Sequence, residues 1–359
     1  MRLFLVSNMY PDAKSPGYGV FVKNVADYLD DNGINISHLA VIKGRSKNVI
    51  HKIVKYVIFY VEIMLYYFKD YDVMYIHYPN MAIPVLFPLF KICNKRLIVN
   101  YHGEDLLYSG RVTTILGRLT EKFVKRYADI VVVPSNFFKQ ELLKRLICTE
   151  DKILVFPSGG INPKVFYPSV KTNNYEGIQL GFVGRIEYGK GWKEYLLALD
   201  KLKDNIDFRG YIIGYGTLEP EMYELISQCG LTDKIEVIRG IPQDKLRHYY
   251  TLFDLLLFTT QLPESLGLVG LEAMACGTPI IATNIGGLAT YAVNNYNSLC
   301  VEKGDIIGIA TSVVKYNNMS REERNTMCNN CVNTAKKYYT DTIFNTFLRN
   351  IKRHLNVVD

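Results

Sequence analysis

Two carboxylates, Glu264 and Glu272, stand with seven residues between them in the stretch PESLGLVGLEAMACGTPIIATNIGGL. The first falls on a loop and the second on the first turn of a predicted helix that ends by Gly277. The amides of Gly267, Leu268 and Val269 open that helix, and N–H groups at a helix N-terminus point toward a bound anion. Carboxylates repel phosphate, so hydroxyls are their expected partners: sugar hydroxyls for Glu264 and ribose hydroxyls for Glu272, with a diphosphate between. The plain alternative is that Glu272 caps the helix and Glu264 is merely exposed. Upstream, Arg185, Lys190 and Gly191 follow the apolar run IQLGFVG. A guanidinium fork and a compact ammonium on one strand-to-helix loop suit a diphosphate, although cations are common in loops.

Such residues need elements to hold them, and the pattern supplies strands alternating with helices. RLFLVSNMY, INISHLAVI, DVMYIHY, RLIVNYH and DIVVVPS are apolar runs of strand length. Between the first two, FVKNVADYLDDNG places Phe21, Val25 and Leu29 at helical spacing and stops at Gly33, a C-terminal cap. Apolar strands divided by crossovers imply a parallel sheet covered on both faces. The pattern breaks at FPSGGINPKVFYPSVKTNN, and a second series runs through IQLGFVGR, FRGYIIGYG, KIEVIRG, LLLFTT and PIIATN. The expectation is α/β: two doubly wound, Rossmann-like domains joined near residues 157–177, with ligands at the carboxyl ends of the strands. A last helix, about Asp341 to Leu355, repeats Ile343, Phe344, Phe347, Leu348, Ile351 and Leu355, and needs a surface to pack on.

Composition narrows the function classes. The chain of 359 residues is 48% apolar and 21% charged, enough for two cores and without a low-complexity tract. Its net charge of +7 is uneven: residues 1–167 carry 22 Lys+Arg against 14 Asp+Glu, and the remainder 20 against 21. The basic half suits an anionic partner or a solvated surface; no compact nucleic-acid recognition motif accompanies it. MRLFLVSNMYP is too short and too quickly polar for a signal peptide, which predicts a cytoplasmic chain. Seven cysteines fit reduced thiols, and Cys328-x-x-Cys331 lacks a second ligand pair.

The most apolar segment, Ile53 to Phe68, is interrupted only by Lys55 and Glu62. As a helix it spans roughly 24 Å, short of a hydrocarbon core of about 30 Å. A domain-core helix, an interfacial helix and an oligomer contact are the alternatives. Lys43, Arg45, Lys47, Lys52 and Lys55 lead into it or lie on it, as suits anionic lipid headgroups.

The ordered set FVGR, KG, ExxxxxxxE, EAMACGTPIIAT and GG resembles the retaining family 4 glycosyltransferases of GT-B fold, from Gly17 to the terminal helix and most strongly between Gly181 and Gly287. The resemblance implies an N-terminal acceptor-binding domain (residues 1–165), a nucleotide-sugar-binding domain (175–338) and a C-terminal helix (339–359) packing on the first, with the two domains facing a cleft. It assigns Arg185 and Lys190 to the donor diphosphate, Glu272 to the ribose and Glu264 to the donor sugar. Ile241 and Pro242 line the base, and Gly184, Leu266, Gly267, Leu268 and Val269 complete the donor site. In PGYGVF, Gly17 and Gly19 match a glycine-rich loop, with Tyr18 between them where the family more often has adjacent glycines. His102 matches a histidine facing the transferred sugar, Asp105 an orienting or acceptor-side neighbour, and Ser135 a cleft position.

The implied activity is sugar transfer from a nucleotide-diphosphate sugar, UDP-sugar favoured, to a glycan or lipid-linked acceptor in bacterial surface-polysaccharide synthesis. It would proceed with retention, without a cofactor or metal, in the cytoplasm or against the inner membrane face. The oligomeric state stays open. Asp70-Tyr71-Asp72 is formally a DxD motif but precedes its strand, away from the end where ligands bind. The competing readings are a catalytically silent GT-B scaffold and a nicotinamide dehydrogenase, the latter disfavoured because GYGVFV and GYGTLE lack the third fingerprint glycine.

Overall fold

A computed structural model describes residues 1–108, 110–170 and 175–355. The chain divides into two units, Met1–Gly159 with Ile343–Asp359, and Gly160–Thr342. Unit 1 carries β1 (Arg2–Tyr10), α1 (Val20–Asp31), β2 (Asn35–Lys43), α2 (Val49–Tyr67), β3 (Val73–His77), α3 (Ile83–Ile92), β4 (Leu97–Asn100), α4 (Arg111–Tyr127), β5 (Ile130–Val133), α5 (Asn136–Lys144) and β6 (Ile153–Val155). Unit 2 carries β7 (Ile178–Val183), α6 (Trp192–Leu202), β8 (Phe208–Ile213), α7 (Glu219–Gln228), β9 (Ile235–Ile238), α8 (Gln243–Leu252), β10 (Leu255–Phe258), α9 (Leu268–Ala275), β11 (Ile280–Thr283), β12 (Ser298–Val301), α10 (Ile306–Asn317) and α11 (Arg321–Lys336). The final helix α12 (Thr340–His354) ends the described chain.

Each unit is built on a six-stranded sheet, ordered β2-β1-β3-β4-β5-β6 in unit 1 and β12-β11-β10-β7-β8-β9 in unit 2. The pairings are parallel throughout, so the doubly wound α/β class expected from the alternation is present. Strand alternation feeds two cores in unit 1. Phe4 and Val6 face α2 to α5, while Leu3 and Leu5 face α1 and α12. Helix α1 ends where predicted: Gly33, at φ 84°, receives the chain as it turns, and Ile34 N–H bonds to Leu29 O at 2.9 Å.

From Ile343 onward α12 belongs to unit 1. Its apolar stripe supplies the packing surface: Phe344, Phe347, Ile351 and Leu355 are buried, and the Phe347 ring stacks on Phe156 at 4.2 Å between centroids. Cys331 is buried and its thiol donates to Asn297 O, so it serves unit 2's core. No group of three or more His, Cys, Asp or Glu able to hold a metal occurs among the described residues. Asp70 and Asp72 both bind Arg2 ahead of β3, a brace between two strand starts.

Candidate functional site

In unit 2 the candidate residues gather on loops at the carboxyl ends of β7, β10 and β11. Gly184 leaves β7 with its N–H on Ile213 O at 3.0 Å. A Cβ on Gly214 would lie 1.8 Å from Gly184 O, so two backbone segments pass where only glycine fits. Arg185 follows, exposed. Lys190 sits between left-handed Gly189 and Gly191, at φ 74° and 90°. The second presses against the end of β10, where a Cβ would come 2.4 Å from the Thr259 carbonyl. Thr259 Oγ1 donates to Gly191 O at 2.8 Å, and Gln261 N–H donates to Gly189 O at 2.8 Å. The backbone thereby aims Lys190 at the next loop, and its Nζ donates to Glu264 Oε1 at 2.8 Å. Thr260 Oγ1 donates to the same oxygen at 3.2 Å.

The Glu264 loop is held from below, with Gly287 N–H donating to Glu264 O at 2.8 Å. Gly267, left-handed at φ 84°, starts α9 with Leu268 and Val269, while Leu266 is buried beside it. The first amides of a helix lack intrahelical acceptors and present partial positive charge.

Glu272 is the fifth residue of α9, one turn deeper than the first-turn position read from sequence and inside the helix rather than at its cap. It is 6% exposed. Gln243 Nε2 donates to its Oε1 and Tyr250 OH to its Oε2, each at 2.9 Å. Burial raises the Glu272 pKa, and these two hydrogen bonds oppose the shift. Ile241 is half-buried, and exposed Pro242 caps α8, the helix that carries both Glu272 partners.

In unit 1 a second cluster forms at the ends of β3, β4 and β5. Gly19, at φ 70°, starts α1, and a Cβ there would meet Met9 backbone at 2.5 Å; Gly17 is exposed with open space around it. His102 stacks against Tyr78 at 4.4 Å, and its Nε2 lies 3.0 Å from His77 Nδ1. Asp105 Oδ1 accepts the backbone N–H of His102 and Gly103 at 2.8 and 2.9 Å, shaping the loop after β4. Burial holds His102 down at about 3, which keeps its ring neutral, and pushes Asp105 up to about 7, toward its protonated form. Ser135 opens α5, fully buried. Ser135 Oγ, Asp105 Oδ2 and His77 Nε2 are buried polar atoms without a hydrogen-bond partner among the described residues. Buried polar groups are ordinarily satisfied, so three orphans at neighbouring strand ends mark a place built for polar contacts.

His77 was missed in the sequence. Its signal was available: it ends the strand run DVMYIHY, at the edge where ligands bind, but a single histidine gives no spacing to read.

Known proteins fit this arrangement of two doubly wound sheets with glycine-framed loops at the strand ends. The profile described as Glycosyl transferases group 1 matches residues 167–338, and that described as Glycosyltransferase Family 4 matches residues 17–160. The chain belongs to the family 4 glycosyltransferases of group 1. Among curated relatives, a 2-deoxystreptamine glucosyltransferase from Streptomyces kanamyceticus is 33% identical over 38% of this chain and 35% of its own length. A D-inositol 3-phosphate glycosyltransferase from Xylanimonas cellulosilytica is 29% identical over 55% of this chain and 51% of its own length. The chain thus spans only part of the length of the curated relatives it matches. A solved sucrose-phosphate synthase from Thermosynechococcus elongatus superposes with a TM-score of 0.79 at 17% identity, covering 100% of both chains. Anabaena HepE in complex with UDP gives 0.74 at 15% identity, covering 98% of this chain and 100% of its own. These structural likenesses establish the GT-B fold.

Proposed function

We propose that the chain transfers a hexosyl group from a nucleotide-diphosphate sugar, UDP-sugar favoured, to a glycan or lipid-linked acceptor in bacterial surface-polysaccharide synthesis. Transfer retains anomeric configuration and needs neither metal nor cofactor, and the enzyme works peripherally at the inner face of the cell membrane. One observation in unit 2 carries the reading: Lys190, Glu264 and the start of α9 converge at the strand ends, with Arg185 exposed beside them and Glu272 buried behind. UDP and UDP-glucose in the Anabaena complexes support the choice of donor.

In this reading Arg185, Lys190 and the first amides of α9 bind the diphosphate and stabilise charge on it as the glycosidic bond breaks, an electrostatic role that a metal fills elsewhere. Glu272 takes the ribose hydroxyls by sharing its two oxygens with Gln243 and Tyr250, and Glu264 takes the sugar hydroxyls. Within unit 1, Asp105 orients the loop that carries His102. The acceptor hydroxyl attacks the anomeric carbon of an oxocarbenium-like centre, and the departing phosphate oxygen takes its proton.

The test is a thermal-shift panel with UDP, GDP, ADP and CMP, each with magnesium and with excess EDTA. A ligand at about 100 times its Kd adds about 2.7 kcal/mol, a shift of several degrees. A shift confined to UDP and indifferent to EDTA supports the donor reading. No shift with any nucleotide overturns it, and a shift that needs magnesium overturns the metal-free mechanism.

A further inference from the structure

Helix α2 is apolar on both sides, yet only one side is covered. Phe59, Ile63 and Tyr67 are buried against the sheet. Ile50, Val54, Val57, Val61, Leu65 and Phe68 form a continuous outward row, with Ile50 74% exposed. These steps of three and four residues trace one face of a helix. A core helix would have both sides covered, and a helix facing water would carry polar groups outside. No helix among the described residues is long and apolar enough to cross a membrane.

The neighbouring helices extend this face in a way the sequence reading did not reach. Helix α3 packs beside α2, and α4 beside α3. Ile92 on α3 and Val112 and Ile115 on α4 are exposed. Along the same side of α4 run Arg111, Arg118, Lys122 and Lys125, all exposed and without an ion pair among the described residues. Residues 43–69 hold six Lys+Arg and one acid, Glu62; residues 111–127 hold five and one, Glu121. Neither acid offsets the field outward. Glu62 accepts the Val41 amide, and Glu121 is taken by Arg145 and Tyr108.

We propose that the outer face of α2, α3 and α4 is a docking surface for an anionic lipid bilayer. Helix α2 lies in the interface plane with its row of aliphatic side chains among the acyl chains, and the α4 cations meet the headgroups. This deepens the peripheral-membrane part of the reading above and commits it to one face. Apolar burial gives depth, and each cation near a negative leaflet adds attraction that salt screens. A second copy is the poorer occupant, because two such faces would bring like charges together across the contact.

Flotation of the full chain with phosphatidylcholine vesicles, with and without about 30% phosphatidylglycerol, tests this at two salt concentrations. At least about tenfold stronger partition onto the anionic vesicles is expected, weakening with salt. A V57D/V61D double variant should lose the binding. An R118Q/K122Q/K125Q variant should lose about tenfold and most of the salt dependence. Circular dichroism of each variant and pulse proteolysis of unit 1 confirm folding, since the sole Trp lies in unit 2. Wild type that stays off anionic vesicles, or V57D/V61D that floats like wild type, overturns the proposal. So does a dimer in light scattering that V57D/V61D dissociates while vesicles go unbound. The UDP thermal shift is read separately: vesicle binding without any nucleotide shift would leave this face standing and sink the donor reading.

Discussion

Replacing Asp105 with Asn should stabilise unit 1 in a pH-dependent way. Burial moves the carboxyl from 3.8 to about 7. Below the lower value both folded and unfolded chains hold the proton, and the burial costs nothing through titration. As pH rises from there, the unfolded chain releases its proton while the folded chain keeps it, so stability falls until the folded group also ionises near 7. With 1.36 kcal/mol per pKa unit, the penalty is roughly 2 kcal/mol at pH 5 and roughly 4 at pH 8. The Asn side chain keeps the oxygen that accepts from His102 and Gly103 and carries no titration. Its amide nitrogen takes the place of Oδ2, a buried atom without a partner among the described residues, at a cost of about 1–3 kcal/mol that is the same at every pH. The intercept is therefore a compromise and the slope is the signature. His77 and His102 titrate alike in both proteins and cancel in the difference. The sole Trp, Trp192, lies in unit 2, so the assay is pulse proteolysis in urea at pH 5, 6, 7 and 8, with unit 1 fragments assigned by mass spectrometry. A wild-type-to-variant difference that stays constant across that range would refute the reasoning.

Three further outcomes are expected. Gly191→Ala places a Cβ 2.4 Å from the Thr259 carbonyl at φ 90° and should cost roughly 2–4 kcal/mol of unit 2 stability, measured by Trp192 fluorescence in urea. Arg185→Ala should weaken UDP binding by about 1.5–3 kcal/mol, the worth of a charge-assisted hydrogen bond, while leaving the melting temperature of the protein alone unchanged because the side chain is exposed. Tyr250→Phe removes a donor from buried Glu272 and should cost about 1–3 kcal/mol, more at pH 8 than at pH 5, since losing that bond raises the carboxyl pKa further; equal losses at the two pH values would count against it.

The strands were legible because each is a run of apolar residues covered on both faces, as in LIVN of β4 and IVVV of β5, all buried. The three-residue strand β6 was not, whereas β9 could be read in the run KIEVIRG although none of its residues is fully buried. The ends of α1 and α12 could be placed from a glycine cap and an apolar stripe. The fate of α2 could not, because an apolar residue looks the same in sequence whether it faces a sheet or the outside. The unit 2 candidates were legible as an ordered motif, whereas the partners of Glu272 were not. Gln243 and Tyr250 lie far upstream of it on α8 and reach it only through packing. His77 escaped for the same reason, since its pairing with His102 joins neighbouring parallel strands separated by a helix.

The pairing of Lys190 with Glu264 changes what the loop's charges mean. Read along the sequence, Lys190 adds to Arg185 as a second cation for phosphate. In the structure its ammonium is already neutralised by a carboxylate 2.8 Å away, and both groups are largely shielded from water. A phosphate approaching there gains only the difference between its own attraction to Lys190 and its repulsion from Glu264, unless it draws the ammonium toward itself. Net positive potential must then come chiefly from Arg185, whose charge also acts on Glu187, and from the opening amides of α9. Glu264, once it shares its lysine, becomes the stronger acceptor for a hydroxyl. The same ion pair that weakens an anion's hold on this loop therefore prepares it for a ligand with phosphate at one end and hydroxyls at the other. A bare phosphate brings no hydroxyl to take the place of the lysine, and it should bind this loop far less well than a nucleotide sugar.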